Sequence, residues 1–147
     1  MKFAALLIAL TRWQAVHLLD ATWFDRLLTI HGIDMLIAWM VFFEIAGLHF
    51  GSTVLLNARH AAPKTAWFAF ILMTVGGLMA NVVVLIDPRN TVAYTAYMPL
   101  KASPLFYLSY ILFAVGALIA VITFFINIVV AKREKRIGFV ERHFHLV

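Results

Sequence analysis

The chain has no cysteine, only four prolines and seven glycines in 147 residues, and only seven acidic side chains. Without cysteine there is no disulfide, no thiolate metal site and no thiol nucleophile, and redox compartment cannot be read from cysteine usage. Charge is scarce as well. Asp, Glu, Lys and Arg make up 13% of the chain, against about a quarter in a soluble domain, whereas 64% of residues are hydrophobic and the mean hydropathy is +0.94. So few charges cannot coat a globule built from so many Leu, Ile, Val, Phe and Ala. The arithmetic excludes a disordered chain, a soluble nucleic-acid-binding module and a water-soluble enzyme, and it makes the bilayer the expected solvent. The net charge of +5 then bears on orientation, because Lys and Arg gather in cytoplasmic loops.

A span needs about 20 mostly apolar residues. Three segments qualify, residues 27–56, 66–86 and 105–131, the last two without any charge. Phe3 to Leu10 is apolar but too short to cross before Arg12. No small-residue cleavage site follows it, as a signal peptide would require, so it reads as a short helix lying in the interface or ending a longer span. Pro63 and Pro104 suit helix first turns, and Asp87-Pro88 starts a turn. The connection from Asn57 to Thr65 carries Arg59, His60 and Lys64 with no acid, and the tail 132–147 is also basic, while the loop between spans two and three is close to balanced. Three alternating crossings place the two basic segments on one side, which the positive-inside rule makes the cytoplasm. No repeat, low-complexity stretch or domain boundary is visible. The expected fold is all-α, a polytopic transmembrane helical bundle forming one membrane domain over 1–147, with three full spans and a short N-terminal helix.

Ionisable groups inside a span are costly and are read as functional by default. Span one holds four, His31, Asp34, Glu44 and His49; the other two hold none, and Asn81 and Asn127 are their only strongly polar residues. At 3.6 residues per turn, His31 and His49 fall five turns and about 27 Å apart on one face of a regular helix, and Asp34 lies one turn from His31. A neutral imidazole on a transmembrane helix suits axial ligation of heme iron, and Gly32 leaves room for a porphyrin to approach the backbone. The plainer role for His31 is a hydrogen bond to a neighbouring helix. His49 is expected to reach the interface. Glu44 is protonated, paired across a subunit contact or part of a proton path. His60 reads as a solvated loop residue. His143 and His145 form a His-x-His, a weak metal signal without cysteine or a carboxylate cluster. Gly76-Gly77 reads as close helix packing, and Trp39, Trp67 and Phe68 as lipid-facing or interfacial anchors.

The run Leu27-Leu28-Thr29-Ile30-His31-Gly32 resembles the start of the second transmembrane helix of heme-copper oxidase subunit I, where "Leu-Thr-x-His-Gly" carries an axial ligand of the low-spin heme. Leu55-Leu56-Asn57-Ala58-Arg59 is similar to the "Leu-Pro-Ala-Arg" end of that helix. Tyr97-Met98-Pro99-Leu100-Lys101, followed by Pro104-Leu105-Phe106-Tyr107-Leu108, resembles the "Tyr-x-Pro-Leu-Lys…His-Pro-x-Phe-Tyr-Leu" stretch before the fourth helix, most closely in the B-type oxidases. Ala4 to Leu19 looks like the tail of the first helix, so the resemblance covers nearly the whole chain. Asn57 replaces a Gly or Pro, Ser103 replaces a histidine, and Asp34 and Glu44 match no feature of the pattern.

The resemblance implies the N-terminal part of a terminal oxidase subunit I in a prokaryotic plasma membrane, as a fragment, a split gene product or a diverged relative. His31 would be the axial ligand of a low-spin heme, with Gly32 beside it. Asp34 would receive the imidazole's second hydrogen bond, or face a heme propionate or an Arg of a further helix. The complete enzyme reduces O₂ with electrons from a cytochrome c, a cupredoxin or a quinol. Copper belongs only to the complete assembly, since the helices holding the binuclear-centre ligands lie past the fourth. The implied partners are the other helices or subunits of a respiratory oxidase and the lipid bilayer, not nucleic acid. Two other classes stay open: a cytochrome b-like heme-binding anchor subunit, for which His31 and His49 would serve two hemes, and a non-redox structural subunit.

Overall fold

The computed structural model describes residues 2–55, 59–92 and 100–134, and all regular structure among them is helical. A short helix α1 (Lys2–Arg12) precedes α2 (Ala21–Gly32), which runs through a wide turn at Ile33–Ala38 into α3 (Trp39–Phe50) and ends in a second wide turn at Gly51–Leu55. Then come α4 (Pro63–Ile86), a single 3₁₀ turn (Pro88–Asn90) and α5 (Pro104–Arg133). Three helical runs are long and apolar enough to cross a membrane: Ala21–Leu55, Pro63–Ile86 and Pro104–Arg133. The three spans and the short N-terminal helix expected from hydropathy are thus present. Leu56, Asn57, Ala58, Tyr97, Met98, Pro99 and the tail from 135, with His143 and His145, lie outside the described residues.

The first span starts at Ala21, six residues before its uninterrupted apolar run, because Asp20 caps it. The Asp20 carboxylate accepts the Trp23 N–H at 3.0 Å. Asp25 and Arg26 are thereby drawn into the helix. Arg26 is accommodated by donating to the Leu85 carbonyl at 2.9 Å and lying 4.7 Å over the Trp23 ring. The 35 residues of this run reach about 50 Å, well beyond a hydrocarbon core of about 30 Å, which leaves its charged first turns at headgroup depth.

Both wide turns use i→i+5 hydrogen bonds, as from Trp39 N–H to the Asp34 carbonyl. At the second, the Ser52 and Thr53 hydroxyls both donate to the His49 carbonyl, at 3.0 and 2.7 Å. Such hydroxyls compete with the main-chain ladder and open it.

The chain divides into two compact units, Met1–Met40 with Thr74–Phe113 and Val41–Met73 with Ala114–Val147. In the first, α4 and α5 run antiparallel and touch backbone to backbone. A Cβ added at Gly76 would lie 2.6 Å from Phe113 N and 2.7 Å from Ser109 O. Ile33, Val84, Val92 and Phe106 form its buried core, with Ile30 and Tyr110 packed against them. Asn90, fully buried, accepts the Ser103 N–H at 2.6 Å and donates to the Val83 and Asp87 carbonyls, which ties the connection between α4 and α5 to the helix ends. In the second unit Gly116 packs against Met73 and the Ala69 carbonyl. There the buried Asn127 accepts the Ala61 N–H at 2.9 Å and Arg59 pairs with Glu134 at 2.9 Å, joining the connection before α4 to the end of α5. Trp39, Trp67 and Phe68 present more than half of their surface outward, as hydrocarbon-facing or interfacial anchors do.

Candidate functional site

His31 sits in the last turn of α2, in the first unit, with a half-buried ring. Its Nδ1 is buried and has no hydrogen-bond partner among the described residues. One turn before it Leu28 is 41% exposed, and one turn after it Met35 is 37% exposed. The imidazole therefore stands in an open apolar surface with the side-chain-free Gly32 next to it. A half-buried imidazole bordered by apolar side chains and a glycine suits a flat apolar macrocycle with a metal at its centre, met from the side of the ring away from the enclosed Nδ1.

Asp34 lies in the wide turn and is 7% exposed. Its Oδ1 accepts a hydrogen bond from Asn81 Nδ2 of α4 at 2.9 Å. The carboxyl is thus directed to α4, and no hydrogen bond joins it to His31 Nδ1. Asn81 and Asn127, the only strongly polar residues of spans two and three, both bridge elements, Asn81 to Asp34 and Asn127 to the Ala61 main chain.

The expectation of a shared face for His31 and His49 assumed 3.6 residues per turn, and the wide turn at Ile33–Ala38 departs from that spacing. In the second unit the His49 ring instead stacks on His60, with centroids 5.3 Å apart and planes inclined by 22°. Both Nδ1 atoms are buried without hydrogen-bond partners among the described residues. His60 is therefore not a solvated loop residue, and sequence reasoning missed this pair. Only the short connection between the two spans hinted at it. Glu44 is exposed on α3. Among the described residues no three His, Asp or Glu side chains gather in one cluster.

Three long apolar helices and a short N-terminal helix define the broad class, a polytopic helical membrane protein. The comparison with known families narrows this: residues 1–145 match the family described as "Cytochrome C and Quinol oxidase polypeptide I". The chain belongs to that family, heme-copper oxidase subunit I. Its members are oxidoreductases of electron transport that use heme and copper and work in multi-subunit membrane assemblies. No curated protein and no solved structure matches the chain.

Proposed function

We propose that the chain forms the N-terminal part of a terminal oxidase subunit I, close to the B-type enzymes, and that His31 supplies an axial nitrogen to a low-spin heme. The observation that carries this reading is the His31 imidazole, placed by the "Leu-Thr-x-His-Gly" run on an open apolar surface of a chain belonging to this family. When bound, the heme supplies an iron that accepts and passes on one electron at a time. The chain's own residues would hold and insulate it. His31 would fix the position, Gly32 would keep the helix surface low beside it, and Leu28 and Met35 would keep water off the face. Asp34, with Asn81, would form the polar wall one turn further on. A ligating imidazole normally donates its other nitrogen to a partner, and among the described residues the enclosed Nδ1 has none. Copper, the binuclear centre and O₂ reduction belong to the assembled enzyme, and the electron donor is a cytochrome c, a cupredoxin or a quinol.

The reading also places the chain in a prokaryotic plasma membrane with the connection 57–65 and the tail on the cytoplasmic side. The Arg59–Glu134 pair supports the shared side, since it holds the basic connection against the end of α5. A reduced-minus-oxidised absorption spectrum of the chain purified with its natural neighbours tests the heme role. A six-coordinate low-spin signal lost in His31→Ala and kept in His49→Ala is the expected result. Loss in both variants points to a two-heme anchor, and assembly without any heme signal points to a structural subunit; either overturns the proposal.

A further inference from the structure

The Asp34–Asn81 contact has an unmet half. Asn81 Nδ2 donates to Asp34 Oδ1, while Asn81 Oδ1, on the same amide, is buried with no partner among the described residues. An ionised carboxylate only accepts hydrogen bonds, so it offers nothing to that oxygen and sets a negative charge against it. A carboxylic acid carries the missing donor. A neutral carboxyl and a primary amide can close a ring of two hydrogen bonds, each side chain donating once. We propose that Asp34 is a proton-binding site within the first span, holding its proton at neutral pH in a paired acid–amide arrangement with Asn81.

The surroundings favour the neutral form on geometric grounds. Asp34 is 7% exposed, and a carboxylate buried without a cation or several donors is very costly. The titratable groups that act on it are His31 on its own span and Tyr110 on α5, while α4 presents the neutral Asn81. Among the described residues the hydrogen bond to its carboxylate comes from Asn81, and His31 Nδ1 donates none. The nearest guanidinium on its span, Arg26, is directed to Leu85 and Trp23.

Infrared spectroscopy of the full chain in lipid at pH 7 is the test. The expected spectrum contains the C=O stretch of a protonated carboxylic acid. That band moves down in D₂O, shifts on [¹³C]aspartate labelling, persists in Glu44→Gln and is lost in Asp34→Asn. Asn81→Ala should raise its frequency, because the carbonyl loses its donor. Labelling leaves the fold untouched and assigns the band to the four aspartates, of which Asp34 alone is buried, so it is informative even where a variant fails to fold. A neutral-carboxyl band that ignores the aspartate label, or one that grows in only under acid, would sink the proposal.

Discussion

Asp87 and Arg89 show how a surface pair titrates in this protein. The Asp87 carboxylate accepts the Arg89 side-chain and main-chain N–H groups at 3.0 to 3.1 Å. These hydrogen bonds, and then the guanidinium charge, hold its pKa below the ordinary 3.8. A carboxyl depressed in the folded state contributes its stabilisation in full above the ordinary value, and that contribution fades as pH falls below 3.8 through the lower folded value. Both side chains are solvated, so the effect on unfolding is small. Arg89→Ala should return the Asp87 titration upward toward its ordinary value and leave unfolding at pH 7 nearly unchanged, as followed by ¹³C NMR of labelled aspartate. An unmoved Asp87 titration would show that the cap geometry alone sets it.

At the scale of elements, the glycines separate into two kinds. Gly76 is wedged against the main chain of α5, where an added Cβ meets Phe113 N and Ser109 O, whereas nothing lies within 4 Å of a Cβ at Gly47 or Gly51. Main-chain atoms cannot swing aside, so Gly76→Ala should destabilise the chain by about 1–3 kcal/mol, the usual range for overpacking. Gly47→Ala should be neutral or slightly stabilising in the isolated chain through higher helix propensity. Denaturant unfolding in a fixed mixed micelle compares the two, and equal effects would contradict the packing described. The number of the spans was legible in the sequence, because hydropathy and Pro63, Asp87 and Pro104 carry that information locally. The early start at Ala21 was hidden by Asp25 and Arg26, whose accommodation depends on Leu85, 59 positions away. The two wide turns were hidden too; at the second, the Ser52 and Thr53 hydroxyls compete with the main-chain ladder. With them went the true surroundings of His49, whose partner is a loop residue, and of Asp34, whose carboxyl is taken by Asn81 across the helix contact. His31 stands out as a candidate in the sequence because its neighbours, Leu28, Thr29 and Gly32, make the motif.

For the whole molecule, the absence of cysteine makes orientation directly measurable. With a single cysteine introduced at Lys64 or at Pro88, a membrane-impermeant maleimide added to intact cells should label Pro88→Cys and spare Lys64→Cys until the membrane is opened. The reverse pattern would overturn the assigned sidedness while leaving the three spans in place. The account as a whole rests on iron ligation by His31, and chemical rescue reaches that bond most directly. In the complete oxidase assembly, His31→Gly opens a space the size of an imidazole. The account predicts that this variant loses the six-coordinate low-spin heme spectrum and regains it when free imidazole is added. A His31→Gly assembly that keeps the low-spin spectrum with no imidazole present would contradict it.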